Sequence, residues 1–219
     1  RRGSAGKSAG RNLDSVEQDV SYQGVWQALA TFPKRRPYFT NVALATVSFP
    51  LADAIVQKLE GLQEPDLKRS ITFGMYGTVN GALNWAVYVS LFRRVCPLSI
   101  RFSNLSLAEK MLDRPGQRDV SKQILLDNLL YAPFLQMPNF YLLQTAMQDG
   151  MSRGPWALCS RALSSYRGNF WQDNRTSCSF WLLGDALVFI VPAWLRMPVA
   201  NIGSFVFMMI WSCMRGAGE

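Results

Sequence analysis

The stretch that decides the fold is Ser70–Phe92, SITFGMYGTVNGALNWAVYVSLF, in which 23 consecutive residues carry no charge. A helix needs roughly 20 mostly apolar residues to cross the hydrocarbon core of a bilayer, which is about 30 Å thick. Arg69 stands directly before the stretch and Arg93 directly after it. Basic residues that flank an uncharged segment are typical of membrane spans. We therefore predict a transmembrane helix at Ser70–Phe92.

Four more apolar segments surround this helix in the sequence. They are Pro37–Ala52, which lengthens into a span if Asp53 lies inside it, Asn128–Gln148, Thr176–Leu195 and Met197–Met214. The last two segments make either two spans or one broken span, divided near Arg196 and Pro198. We predict an all-α fold, a multi-pass transmembrane helical bundle of four to five membrane segments with an N-terminal amphipathic surface helix.

The sequence pattern divides the chain into three parts. Residues 1–12 are a basic extension, interpreted either as a transit-peptide remnant or as an artificial or truncated end. Residues 13–33 carry apolar side chains at three- and four-residue steps, which predicts an amphipathic helix on the membrane surface. Residues 34–215 are predicted to form a single membrane helical-bundle domain.

The composition excludes several classes of function. Of the 219 residues, 49% are hydrophobic and only 17% are charged, whereas about a quarter of a typical soluble domain is charged. The absence of histidine excludes Ser-His-Asp and Cys-His pairs, histidine zinc sites and histidine-bound haem. The four cysteines are widely spaced and are interpreted as small buried side chains. We predict that the chain is not an enzyme and has no metal site.

The predicted central helix carries a polar stripe beside a pair of glycines. Side chains with hydrogen-bonding groups recur at four-residue intervals, and therefore share one helical face, at Tyr76, Asn80, Asn84 and Tyr88. Gly77 and Gly81 form a G-x-x-x-G pattern on the neighbouring face, which lets a second helix approach closely. The stripe is interpreted either as the lining of a water-filled passage or as interhelical hydrogen bonds beside a tight helix contact.

Other polar residues and prolines lie in or beside the apolar segments. The further candidates for a polar lining or for helix–helix contacts are Asp53, Gln57, Asp127, Gln136, Asn139 and Asp185. Because a carboxylate is costly in hydrocarbon, we expect Asp127 near the lipid headgroups. Asp185 is interpreted either as paired with a basic side chain of another helix or as part of a proton or ion relay. Helix kinks are predicted at Pro133, Pro138 and Pro192.

Short motifs between about Trp26 and Met214 resemble one known family. The motif residues are Ala28, Leu29, Ala30, Thr31, Pro33, Thr40, Asp53, Gln57, Arg69, Gly77, Gly81, Tyr88, Lys122, Leu126, Asp127, Pro133, Phe180, Trp181, Val191, Pro192 and Arg196. Together they resemble the Mpv-seventeen and 22-kDa peroxisomal membrane protein family, small multi-pass proteins of mitochondrial, peroxisomal and plastid membranes. The chain is similar to a diverged member, because Ala82, Trp85 and Leu187 occupy positions where the family has other residues.

The resemblance implies a pore or permeability role for small solutes in an organelle membrane. The alternative is a non-conducting accessory subunit of a larger respiratory or photosynthetic membrane complex, since several of the family's polar positions are lost and Trp, Phe and Met are abundant. No cofactor is predicted, and bound lipid, or pigment in a photosynthetic complex, is the expected ligand.

The expected partners follow from the distribution of charge. The net charge of +8 gathers between apolar segments, which favours membrane lipids as partners and excludes nucleic acid. Further copies of the chain, or the subunits of a larger complex, are the expected protein partners. The basic N-terminus favours a mitochondrial inner membrane or a plastid membrane over a peroxisomal one.

Overall fold

The computed structural model describes residues 31–32, 35–149, 154–191 and 193–216, except for the side chains of residues 193–198. Almost all of residues 1–33, with the predicted extension and surface helix, and the predicted kink at Pro192 lie outside the described residues. The chain divides into two compact units, Arg1–Pro37 and Tyr38–Glu219. Every regular element of the described residues is a helix, so the predicted all-α fold is confirmed.

Five long helical rods dominate the second unit. The first is α1, Pro37–Leu59, and the second runs without a break through α2, Leu67–Asn84, the π-helix π1, Trp85–Leu91, and α3, Phe92–Val95. Two short helices follow, α4, Leu98–Ser103, and α5, Leu107–Leu112. The third rod joins α6, Arg114–Leu126, to the π-helix π2, Asp127–Gln136, and to α7, Met137–Asp149. The last two rods are α8, Pro155–Ile190, and α9, Ala193–Arg215.

The helix ends follow local sequence signals. Asp66 caps α2, because its carboxylate accepts a hydrogen bond from the Arg69 backbone N–H at 2.9 Å. Gly154 precedes α8 with a φ of +75°, a conformation that favours glycine, and Pro155 supplies the first helical residue.

The two C-terminal apolar segments form two helices, and the predicted division near Arg196 and Pro198 is wrong. The chain leaves the helical conformation at Val191, which has a φ of −68° and a ψ of 154°. A residue that precedes a proline is disfavoured in the helical region, which explains the end of α8 here. Pro198 lies inside α9 instead.

Helices α1 and α2 pack antiparallel and very closely. Asn41 donates a hydrogen bond to the Gly81 carbonyl oxygen at 2.9 Å, and the Thr46 and Thr78 hydroxyls lie 2.9 Å apart further along. A methyl group on Gly77 would overlap the Ala45 carbonyl. The G-x-x-x-G glycines therefore lie at the contact, where the missing side chains allow the approach.

An aromatic core joins α1, α2, α7 and α9. Phe140 is fully buried, and its ring lies edge-on to Phe73, Tyr76 and Trp211, with centroid distances of 5.4, 5.3 and 5.5 Å. Edge-to-face pairs of this kind add favourable quadrupole interactions to the burial of a large apolar area. Helix α9 also packs antiparallel against α8, with Phe207 5.7 Å from Trp181.

The distribution of polarity differs from that of a typical water-soluble bundle. Large apolar side chains are exposed along the outer faces of the rods, among them Val47, Leu51, Leu129, Phe134, Leu183, Leu187 and Ile202. Among the described residues, five acidic or basic side chains are buried: Asp53, Arg69, Asp127, Asp173 and Asp185. Of the described helices, Pro37–Leu59, with a mean hydropathy of 1.5, has the length and composition of a membrane span, and Val199–Arg215 is apolar but shorter.

We expect Gly77→Ala to destabilise the bundle, because the added methyl group would lie 2.8 Å from the Ala45 carbonyl carbon. Overpacking of this kind costs about 1–3 kcal/mol. Gly74→Ala is the matched control on the same helix, since its methyl group would meet Pro50 and Thr46 at 3.7 Å, an ordinary contact. Unfolding free energies measured in detergent test this difference, and equal effects of the two changes would contradict the tight contact.

Candidate functional site

A cavity of about 350 Å³ lies inside the helical bundle. Its wall includes seven of the polar residues singled out in the sequence: Tyr76, Asn80, Asn84, Tyr88, Asp127, Gln136 and Asp185. They come from α2, π1, π2 and α8. The structure therefore brings the predicted stripe together with polar groups of two other rods around one space within the bundle.

Helical geometry explains why the stripe faces the cavity. Gly77 and Gly81 turn one face of α2 toward α1, so the adjacent face, which carries Tyr76 and Asn80, points into the bundle. The helix widens to the π form at Trp85. Tyr88 still lines the cavity from within this π segment. π-Helical turns of this kind are frequent at functional sites.

The middle of the cavity wall is a network of neutral polar side chains. The Gln136 amide nitrogen donates to the Asn80 side-chain oxygen at 3.1 Å and to the Asn84 side-chain oxygen at 3.0 Å. The Tyr131 hydroxyl donates to the same Asn84 oxygen at 2.7 Å. These bonds connect the second rod to the third rod while leaving the amide groups at the cavity surface.

Asp127 and Asp185 place two carboxyl groups at the same cavity. Both residues are buried and line the cavity. The Asn128 amide donates a hydrogen bond to Asp185 at 2.7 Å. None of the ion pairs within the described residues involves either aspartate.

Both aspartates are buried in the bundle. Asp127 is only 4% exposed, because α6 runs on into π2 and its buried face continues. Its expected position near the lipid headgroups stays a prediction. The described partner of the Asp185 carboxyl group is the Asn128 amide, and the expected basic partner is not among the ion pairs of the described residues.

Three side-chain oxygens at this end of the cavity have no hydrogen-bond partner among the described residues. They belong to Gln123, Asp127 and Asn128, and all three residues line the cavity. Buried polar atoms of proteins are normally satisfied by protein groups or by water. A cavity of about 350 Å³ has room for on the order of ten water molecules. The wall is thus suited to hold water or a polar solute.

Asp53 and Gln57 lie in a second polar cluster, which makes helix–helix contacts instead of lining the cavity. One Asp53 oxygen accepts from the Arg69 Nε and the Ser212 Oγ, both at 2.7 Å. The other accepts from the Gln57 amide at 2.7 Å and from the Ser70 hydroxyl at 2.8 Å. Arg69 reaches Glu60 as well, at 2.8 Å. The cluster joins α1, α2 and α9.

A fourth buried acid makes an equivalent contact between α8 and α9. Asp173, on α8, pairs with Arg215 at 2.8 Å and accepts a hydrogen bond from the Tyr141 hydroxyl at 2.6 Å. Asp173 was not among the residues singled out in the sequence, because it lies outside the uncharged runs. It stands three residues before the Thr176–Leu195 segment, and this closeness to an apolar segment could have indicated that its carboxyl group is buried.

Pro133 and Pro138 lie where the third rod is disturbed. Pro133 is inside π2 and Pro138 follows at the second residue of α7. A proline cannot donate to the carbonyl five residues back, so the Asn128 and Pro133 carbonyls lose their π-helical partners. The Cys178 thiol and the Tyr166 hydroxyl, both on α8, contact these two oxygens at 3.7 and 2.7 Å. The prolines therefore leave two backbone carbonyl oxygens free to accept hydrogen bonds from side chains of α8.

One further residue predicted from the sequence lies outside the cavity wall, and several residues that were not predicted belong to it. Asn139 is half-buried and does not line the cavity. Polar lining residues that sequence analysis missed are Asn41, Ser99, Gln123, Ser177, Asn201 and Ser204. Gln123 lies one turn before Asp127, a spacing that could have linked them. No group of three or more Cys, Asp or Glu residues lies together within the described ranges, so no metal centre is assigned there.

Comparison with family models, with curated proteins and with solved structures gives no match to this chain.

We expect Arg69→Met to cost about 3–5 kcal/mol, because it removes the cationic partner of the buried Asp53 carboxylate. Arg101→Met is the matched control, since Arg101 forms an exposed pair with Asp113 and exposed pairs contribute about 0–1 kcal/mol. Urea unfolding in detergent measures both. Similar losses in the two variants would show that the Asp53 cluster does not hold the helices together.

Proposed function

We propose that the chain is a multi-pass organelle-membrane protein, as its resemblance to the Mpv-seventeen family implies, and that its internal cavity belongs to a passage for small polar solutes. The observation that carries the proposal is the cavity wall, in which amides, hydroxyls and two carboxyl groups from three rods face one space within the bundle. A polar solute that enters such a space exchanges its hydrogen bonds to water for bonds to Asn80, Asn84 and Gln136.

The outer surface supports the membrane placement. Val47 on α1 and Leu183 on α8 are 66% and 73% exposed, which is costly for a helix in water and favourable in lipid. The buried polar clusters fit the same placement, because polar and ionisable groups in membrane bundles face the interior and pair with one another. Each of the five rods has 23 or more residues, enough to cross about 30 Å of hydrocarbon.

The lining also indicates what the passage would favour. The amides and hydroxyls of the middle section donate and accept hydrogen bonds without carrying charge. The carboxyl groups of Asp127 and Asp185 offer acceptor oxygens. Arg93, an exposed residue, belongs to the lining as well. Small hydrophilic metabolites are therefore the proposed solutes rather than apolar compounds.

We expect Ser204→Phe to reduce solute flux, because Ser204 lines the cavity and an aromatic ring there would occupy the space and exclude water. Flux of a radiolabelled polyol into proteoliposomes should fall roughly tenfold, as expected for an apolar constriction. Ser204 takes part in none of the hydrogen bonds found among the described side chains, so the folded structure should persist.

Ile202→Phe is the matched control two residues away on α9, since Ile202 is 67% exposed on the outer surface. Flux through this variant should equal that of the unchanged chain. If both phenylalanine variants conduct like the unchanged chain, or if the unchanged chain conducts no faster than protein-free vesicles, the passage is refuted.

A second candidate function, a non-conducting accessory subunit, is favoured by a different observation. Trp156 and Trp171 are 85% and 82% exposed on the first half of α8, with the exposed Leu163 on the face between them. Exposed aromatic side chains on one helical face are typical of protein interfaces. Native gels of gently solubilised membranes test this candidate, because an accessory subunit would migrate only with a large assembly.

A further inference from the structure

The outward face of the third rod changes from cationic to apolar along its length. Exposed residues recur at three- and four-residue steps on this face, in the order Arg114, Arg118, Ser121, Lys122, Leu125 and Leu129. The opposite face is buried and carries Gly116, Val120 and Gln123. Because the pattern has helical periodicity, the basic and the apolar side chains share one continuous strip of surface.

A shallow depression, open to the outside, runs along this strip. Arg114, Arg118, Lys122, Leu125, Leu129 and Leu130 line an open groove of about 700 Å³. The groove spans residues 114 to 130, which corresponds to about 24 Å at 1.5 Å per residue. One leaflet of a bilayer with its headgroups is about 20–22 Å thick. The groove therefore has the length of one lipid molecule.

The cationic end of the groove has no acidic partner among the described residues that line it. Arg114 and Arg118 take part in none of the ion pairs of the described chain. The nearby acids are engaged elsewhere, since Asp113 pairs with Arg101 and Asp119 accepts from the Leu98 backbone N–H at 2.8 Å. Lys122 donates to the Val95 carbonyl at 3.3 Å and keeps its positive charge.

We propose that this groove binds a phospholipid with an anionic headgroup. The guanidinium groups of Arg114 and Arg118 bind the headgroup phosphate, for which their planar N–H donors are well matched. The acyl chains then lie along Leu125, Leu129 and Leu130. An acidic protein segment fits the apolar end poorly, whereas a lipid presents its charge and its hydrocarbon in the same order as the groove.

The proposal depends on the membrane placement but not on conduction. A bound lipid at this face would hold the start of the third rod at the boundary between headgroups and hydrocarbon, next to the buried Asp127. The site would thereby couple the membrane composition to the rod that carries one wall of the cavity.

The test is native mass spectrometry of the detergent-purified chain with equimolar dioleoyl-phosphatidylglycerol and dioleoyl-phosphatidylcholine. We expect the anionic lipid to bind preferentially to the unchanged chain. The triple variant Arg114→Gln, Arg118→Gln, Lys122→Gln should bind phosphatidylglycerol about 10- to 100-fold more weakly. A control triple, Lys58→Gln, Arg167→Gln, Arg175→Gln, removes the same charge from exposed positions elsewhere and should keep the preference.

Three results would overturn the proposal. The groove variant could keep the lipid preference, the two triple variants could lose it equally, or glycerol phosphate alone could displace the lipid, which would indicate a site for free phosphate. If the groove variant does not fold, two further measurements test the proposal. The preference of the unchanged chain for the anionic lipid must weaken at high ionic strength. The same preference must be weaker in the single variant Leu129→Asn. A chain that fails to insert into vesicles would instead refute the membrane placement, on which both proposals rest.

Discussion

The buried carboxylate of Asp53 is the constraint on which the arrangement of the rods depends. It accepts four hydrogen bonds, from Gln57 on its own helix, from Arg69 and Ser70 on α2 and from Ser212 on α9. A carboxylate that is 0% exposed would be strongly unfavourable without these partners. Every donor must therefore be in place at once, and this requirement fixes the relative position of three helices.

The positions of α1 and α2 determine which side chains face the cavity. The Asp53 cluster fixes one end of this pair, and the contact of Gly77 and Gly81 with α1 fixes the other. With both ends fixed, α2 cannot rotate about its axis, and its polar stripe stays directed toward the interior. Asp173 and Arg215 fix α9 against α8 in the same way. The cavity is thus the space left between helices whose positions are set by buried polar contacts at their ends.

The interior of the bundle carries polar side chains, and its outer faces carry many apolar ones. Asp127, Asp185 and the surrounding amides are buried, whereas leucine, isoleucine, valine and phenylalanine side chains are exposed on the outer faces of the rods. The hydrophobic effect alone would not hold such a bundle together in lipid, because the outside is as apolar as the solvent. Close helix contacts and hydrogen bonds between rods must supply the specificity, and both are present in the described part of the chain.

The sequence predicted the helices and the polar stripe because both depend on local periodicity. A four-residue repeat places Asn80 and Asn84 on one face whatever surrounds them. The partners of Asp53 were not predictable, since Ser212 lies 159 residues away and no local pattern connects them. The burial of Asp127 at the cavity could not be decided from the sequence for a related reason: burial depends on which rods pack around a residue, whereas the sequence shows only its distance from Lys122. Likewise, the Val191 break depends on one proline rather than on the charge that suggested Arg196.

We propose above all that a water-filled polar cavity lies within a bundle whose outer face contacts lipid. Thiol labelling in proteoliposomes is the sharpest test, with the four native cysteines replaced by serine and one cysteine placed at Ser177 or at Leu183. Both positions are on α8, but Ser177 is buried and lines the cavity, whereas Leu183 is exposed on the outer face. A charged, water-soluble thiol reagent should label the cysteine at 177 and not the one at 183. Labelling at 183 with protection at 177 would contradict it, because that pattern belongs to a water-soluble bundle with a closed core.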